Sequence, residues 1–266
     1  MISERSVEIP FVMSRVGEAI DILDVGYDGN QYIGELIGLR RQLTVIDVNQ
    51  RTLPAGAAFY HGDIRWTGFE SESFDLIICL STIEHIGMKA YGLVGEGASG
   101  APDALREMER LLKRDGGRLL LTLPIGLEGI TTWAGEGEFY QYSPKSFLKL
   151  LKGWAINELL AYRLSGEEYK PCGLIDLRDV PYATFRAGGV ALVELQRKST
   201  QRNDVGLDWK QAKARLDSTE ESIAVIAKMP QANIMFYAGI FASLKCRFDN
   251  GERTPSLFNE IMELDG

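Results

Sequence analysis

The polarity of the chain alternates between two rhythms. Short apolar runs at residues 22–25, 43–46, 57–60, 74–80 and 118–124 are separated by stretches in which apolar residues return every three or four positions. The runs have strand length, and the almost continuously apolar one at 74–80 predicts a strand covered on both faces, as in a parallel sheet. The three-to-four spacing predicts helices. Tyr32, Ile33, Leu36, Ile37 and Leu39 mark one over 31–39; Ala104, Leu105, Met108, Leu111 and Leu112 mark another that starts at Pro102 and stops at Asp115-Gly116-Gly117. Ser143 as N-cap and Pro144 in the first turn predict a third, with Phe147, Leu148, Leu150 and Leu151 apolar. Val12, Met13, Val16, Ala19 and Ile20 predict a leading helix over 11–20. Two further strand-like runs stand at 156–164 and 190–195. Strands alternating with helices define an α/β fold with a doubly wound sheet. At Ser199 the texture changes to a polar linker, then to helical patterns at 209–216 and 220–228 and an apolar stretch at 234–244. The expected organisation is a domain over 1–198 and a mainly helical extension over 199–266.

The turn after the first run carries the candidate chemistry. Asp24-Val25-Gly26-Tyr27-Asp28-Gly29-Asn30 leads from strand to helix, and the second run ends on Asp47. An acid about 20 residues beyond a glycine-bearing strand-to-helix turn suits a nucleoside ligand: the turn lets backbone approach, and the acid accepts hydrogen bonds from a ribose diol. A dinucleotide site wants G-x-G-x-x-G around a pyrophosphate; here the second glycine is Asp28 and the third position is Gln31. A carboxylate there repels a diphosphate but sits well beside a sulfonium and an ammonium. The turn therefore favours S-adenosylmethionine over a nicotinamide dinucleotide, and a nicotinamide-dependent oxidoreductase is a distant alternative.

Five motifs in order, Asp24-Val25-Gly26, Val45-Ile46-Asp47, Gly62-Asp63-Ile64, Phe74 to Cys79 and Leu111 to Gly117, resemble those of the class I S-adenosylmethionine-dependent methyltransferases. The resemblance covers roughly residues 15–125, with a weaker echo to about 198. It implies a Rossmann-like sheet, mostly parallel with an antiparallel last strand, and S-adenosylmethionine as methyl donor. It places Asp24 and Gly26 at the methionine end, Asp47 on the ribose, Asp63 with Ile64 at the adenine, and Leu80 and Ser81 along the cofactor. The departure lies in the turn, where the family reads D-x-G-x-G-x-G and this chain has Asp28 and Asn30. That departure keeps a catalytically silent, methyltransferase-like binding module as the rival reading.

Methyl transfer from a sulfonium is a direct displacement, so the protein must align the acceptor and remove a proton from a hydroxyl or amine. His85, just past the fourth run, is the candidate base, with Glu84 beside it; a histidine there can equally serve the loop by bonding backbone. Tyr91, Trp133, Tyr140 and Tyr142 are candidate acceptor-pocket residues. The Glu84-His85-Ile86-Gly87 stretch, the glycine-rich loop after it and Thr122 to Gly126 also resemble an uncharacterised bacterial family found with cell-surface polysaccharide genes. That resemblance implies a small-molecule or glycan-type acceptor, methylated at a sugar-like hydroxyl.

Charge and composition narrow the field. A formal net charge of −8 over 266 residues gives no general attraction to nucleic acid or anionic membrane. Leu80-Ser81-Thr82-Ile83 stands where DNA amino-methylases carry N-P-P-Y and cytosine-carbon enzymes Pro-Cys. Two histidines and three dispersed cysteines, Cys79, Cys172 and Cys246, argue against a metal centre and fit a reducing compartment. The N-terminus has no apolar signal core, and 234–244 is too short to span a bilayer, so a cytoplasmic protein is expected. For the extension three roles stay open: packing on the main domain, a homodimer interface, or a cover over the acceptor.

Overall fold

Residues 3–27, 32–91, 93, 95, 99–133, 137–182 and 186–198 are described by the computed structural model. The extension over 199–266 and the turn residues Asp28 and Asn30 lie outside them. The apolar runs pair side by side. After α1 (Arg5–Met13) come β1 (Asp21–Val25), α2 (Tyr32–Gly38), β2 (Gln42–Asp47), β3 (Ala57–His61) and β4 (Leu76–Leu80). Next are α3 (Ala101–Leu111) and β5 (Arg118–Pro124). These first five strands are mutually parallel in the order β3-β2-β1-β4-β5. A separate antiparallel hairpin, β6 (Gly129–Trp133) with β7 (Gly137–Gln141), follows, then α4 (Pro144–Leu150). The large sheet is completed by β8 (Trp154–Ser165), β9 (Glu168–Pro171) and β10 (Gly189–Arg197) in the order β5-β10-β8-β9. As expected, the last strand runs antiparallel to both its neighbours. The hairpin and β9 have no counterpart in the sequence reading.

Burial explains why the pattern folds this way. Every residue of β4 is buried, and alternate side chains serve opposite faces: Leu76, Ile78 and Leu80 join α1 and α2, whereas Ile77 and Cys79 join α3. α3 buries Ala101, Ala104, Leu105, Met108 and Leu111, one stripe of its surface. Ser143 caps α4 as predicted: its hydroxyl accepts the Ser146 amide at 3.2 Å, and the Ser146 hydroxyl accepts the Ser143 amide at 2.9 Å. The strand order reverses between β1 and β4, which opens a crevice at their carboxyl ends.

The leading helix needs correction. It spans Arg5–Met13 instead of 11–20, with Pro10 inside it. Proline lacks an amide and so removes one helical bond, but Ser14 still closes the turn on the Pro10 carbonyl at 3.0 Å. Gly17, at φ +55°, lies inside the expected helix and redirects the chain toward β1. Of the apolar residues that suggested the later helix, Val12 from α1 and Val16 and Ala19 from the turn after it are buried, as is Phe11, whereas Ile20 is exposed.

Candidate active site

The loops leaving β1, β2, β3 and β4 enclose a cavity of about 250 Å³. Gly26 forms its floor at φ +82°. A β-carbon there would lie 2.5 Å from Thr82 Oγ1 and 2.7 Å from Thr82 Cγ2, so only glycine lets the β1 turn rest against the residues after β4. The Gly26 amide is tied to the Ile46 carbonyl at 2.9 Å, which fixes the turn to β2.

Asp47 closes β2 and lines the cavity wall. It is 9 % exposed; Oδ2 accepts the Tyr27 amide at 2.9 Å and Oδ1 the Asn49 amide at 2.7 Å, with Arg51 Nε 3.4 Å from Oδ2. Two backbone amides and Arg51 orient it, and Oδ1 keeps a further lone pair for a ligand hydroxyl. Asp63 follows β3 on the same wall. Its carboxylate is gripped by Arg65: Nε to both oxygens at 3.1 Å, Nη2 to Oδ2 at 2.8 Å and the Arg65 amide to Oδ1 at 2.9 Å. Ile64 beside it is buried and lines the cavity. The arginine fork, which engages both carboxylate oxygens of Asp63, was not foreseen from the sequence.

Leu80 and Ser81 reach the cavity from β4. Ser81 has φ +43°, a left-handed conformation that non-glycine residues rarely adopt. Three bonds hold it there: its amide to Thr122 O at 3.0 Å and to Thr122 Oγ1 at 3.1 Å, and its hydroxyl to Glu8 Oε1 at 2.5 Å.

Two predicted residues lie behind the wall. Asp24 is fully buried and accepts the Tyr32 hydroxyl at 2.6 Å. Strand alternation places it on the same face as Ile22, toward α2, so it braces the β1 turn against that helix. Glu84 is 1 % exposed within the one-turn 3-10 helix Ile83–His85 and does not line the cavity. Its Oε2 has no hydrogen-bond partner among the described residues. Burial, reinforced by the charge of Glu8, pushes its carboxyl up to about 8.

His85 does line the cavity. Burial lowers its imidazole to about 4, so the ring is neutral over the physiological range. Its Nε2 stands 3.9 Å from Glu84 Oε1. The ring packs edge-on to Tyr91 at 5.3 Å and near Phe139 at 5.7 Å between centroids, and Phe139 meets Tyr182 at 4.7 Å. Of the candidate aromatic residues, Tyr91 lines the cavity. Tyr142 is buried and bonded to Ser99 at 2.7 Å, Tyr140 bonds Glu128 at 2.9 Å, and the Trp133 side chain lies outside the description.

α1 supplies what the sequence reading missed. Arg5 lines the cavity; Glu8, fully buried, receives Arg5 Nη1 at 2.9 Å, Ser81 Oγ at 2.5 Å and Thr122 Oγ1 at 2.8 Å. A charged residue at Glu8, in line with Phe11 and Val12 on the buried stripe of a helix, was the available signal. No cluster of metal-ligating side chains is found among the described residues. Nor is any of their helices long and apolar enough to cross a membrane.

Residues 23–121 match the family model described as a methyltransferase domain. No curated protein matches the sequence. Among solved structures, a Methanosarcina mazei S-adenosylmethionine-dependent methyltransferase is similar at a TM-score of 0.52 and 15% identity, over 71% of this chain and 97% of that one. The Burkholderia thailandensis 1,6-didemethyltoxoflavin-N1-methyltransferase, solved with its substrate and S-adenosylhomocysteine, is similar at 0.51 and 10%, over 74% and 80%. The [4+2]-cyclase SpnF is similar at 0.50 and 17%, over 72% and 80%, so this fold also carries other chemistry. Residues 23–121 thus match the methyltransferase-domain model, and the chain has the Rossmann-like fold seen in S-adenosylmethionine-dependent methyltransferase structures.

Proposed function

We propose that this protein transfers the methyl group of S-adenosylmethionine to a hydroxyl of a small-molecule acceptor, with a sugar-like or glycan-linked ring as the acceptor class. One observation carries the reading: a carboxylate, Asp47, is fixed by two backbone amides on the wall of a cavity at the strand-order reversal, beside a turn whose Gly26 leaves no room for a β-carbon. Those features fit a nucleoside. Asp47 would hold the ribose, the backbone of Gly26, Leu80 and Ser81 the chain leading to sulfur, and Ile64 with Asp63 the adenine end. When bound, the cofactor supplies an electrophilic methyl group on a sulfonium.

The chain's own residues perform the rest. The wall beyond Ser81 is made by Ile86, Met88, Ala90, Tyr91 and Leu93, an apolar surface that excludes water and suits the C–H face of a ring. His85, on that same wall and neutral, accepts the proton that the acceptor hydroxyl loses. The imidazolium so formed is unfavourable in its buried site unless a negative charge is near, and Glu84 at 3.9 Å supplies one when ionised.

Calorimetric titration with S-adenosylhomocysteine tests the reading. Wild type should bind in the micromolar range and Asp47→Ala about 10- to 100-fold more weakly, the effect of two lost hydrogen bonds to a charged group. A folded wild type that binds neither S-adenosylmethionine nor its product would replace this function with that of a binding module.

A further inference from the structure

We propose that Arg5, on α1, receives the carboxylate at the amino-acid end of the cofactor, making the N-terminal helix part of the binding site. The inference rests on the cofactor assignment above and adds a residue outside the matched segment 23–121. Three observations on this side chain converge.

Arg5 stands where the strand order reverses. Its Nη1 donates to the Leu80 carbonyl at 3.4 Å, at the carboxyl end of β4, and its charge is felt by Tyr32, the partner of Asp24 beneath the β1 turn. It lines the cavity together with Gly26, Tyr27, Ser81 and Thr82. That is the end of the cavity opposite Asp63.

The guanidinium is only half used. Both its hydrogen bonds come from Nη1, one to Glu8 Oε2 at 2.9 Å and the other to Leu80 O. Nε and Nη2 have no hydrogen-bond partner among the described residues. Those two groups form the parallel pair of N–H donors that matches a carboxylate in a bidentate, side-on contact.

The side chain is also preorganised. Glu8 is fixed by the hydroxyls of Ser81 and Thr122 as well as by Arg5, so the guanidinium is held by an anion that is itself anchored to β4 and β5. Its side chain remains 30% exposed. The other arginines on the cavity wall are engaged with the acids at the nucleoside end, Arg51 with Asp47 and Arg65 with Asp63. A nucleoside bound against Asp47 and Asp63 would extend its amino-acid tail toward Arg5.

The test compares two ligands that differ by the carboxylate alone: S-adenosylhomocysteine and its decarboxylated analogue, S-adenosyl-3-thiopropylamine. Calorimetry on wild type should show a preference of at least tenfold for the first. Arg5→Gln should lose that preference while keeping its affinity for the analogue within about threefold, and Arg5→Lys, which preserves the charge beside Glu8, should retain part of it. Because the readout is a ratio within one protein, a general loss of stability does not imitate it; melting curves identify a variant that fails to fold, in which case Arg5→Lys carries the test. Equal weakening of both ligands, or an unchanged preference, overturns the role of Arg5 and leaves the cofactor site standing. Binding of neither ligand by folded wild type overturns the cofactor assignment and this proposal together.

Discussion

Glu84 illustrates how a single buried acid ties pH to both stability and turnover. Its carboxyl is pushed up from the usual 4.5 to about 8 by burial and by Glu8. In the unfolded chain it ionises near 4.5, so a folded state that keeps it protonated is favoured at low pH and loses that advantage as pH rises from about 4.5 through 8. The loss is on the order of 4 kcal/mol. Glu84→Gln, which retains the shape without the ionisation, should melt near wild type at pH 5 and well above it at pH 9. An equal difference at both values would show that burial does not tune this group. His85 acts in the opposite direction: its depressed imidazole contributes stability above about 6.5 that is lost as pH falls through 4. Turnover should rise as pH passes 8 and Glu84 becomes the counter-charge of His85, and the Gln variant should flatten that rise. Asp47, Gly26 and Ile64 line the cavity, Asp47 at the end of β2, Gly26 just after β1 and Ile64 in the loop after β3. Asp24 and Glu84 were legible as acids but not in their direction, which strand alternation and a one-turn helix set.

Among the elements, α1 is the one the hydrophobic pattern misplaced, and it also places Arg5 on the cavity wall. Pro10 reads locally as a starting point for a helix, and Val16, Ala19 and Ile20 extend the apolar spacing beyond the true end. What decides the outcome is tertiary: Glu8 reaches across 73 positions to Ser81 and 114 to Thr122, contacts no local rule can foresee. The clamp that results is a buried carboxylate with three donors, so removing it strands them. Glu8→Ala should lower stability by about 2–4 kcal/mol, the upper figure belonging to a fully buried pair and the lower allowing for the exposure of Arg5. Urea unfolding should then show a lower midpoint with an unchanged slope. Ser81 would also be released from its left-handed conformation, so the same variant should weaken S-adenosylhomocysteine binding even at temperatures where it is fully folded. A midpoint equal to that of wild type would mean that α1 packs by its apolar residues alone. α3, α4 and β5 were legible in advance because their signals are local: a five-residue buried stripe, a Ser143-Pro144 start, and a run of leucines.

At the scale of the whole molecule, alternating strands and helices sufficed for the α/β class and the family resemblance implied the antiparallel last strand, whereas the β6-β7 hairpin and β9 went unseen. Both are short strands beside turns, with too few apolar positions for a rhythm to register. The chain divides into two compact units, Met1–Ser199 and Thr200–Gly266. The first unit contains the complete eight-stranded sheet, the cavity and every predicted site residue. The candidate nucleoside contacts therefore all belong to it, and a chain shortened to 1–198 should bind S-adenosylhomocysteine with an affinity within about twofold of full length. The second unit is proposed to act on what the first does not determine: assembly, through a homodimer interface, or access of the acceptor. Its removal should then change the mass measured by light scattering or the turnover of a methyl-accepting substrate, with cofactor affinity preserved. Loss of cofactor affinity in a shortened chain that still melts cooperatively would place part of the cofactor site in the extension. Preservation of affinity, mass and turnover together would remove any role for the extension in assembly or catalysis.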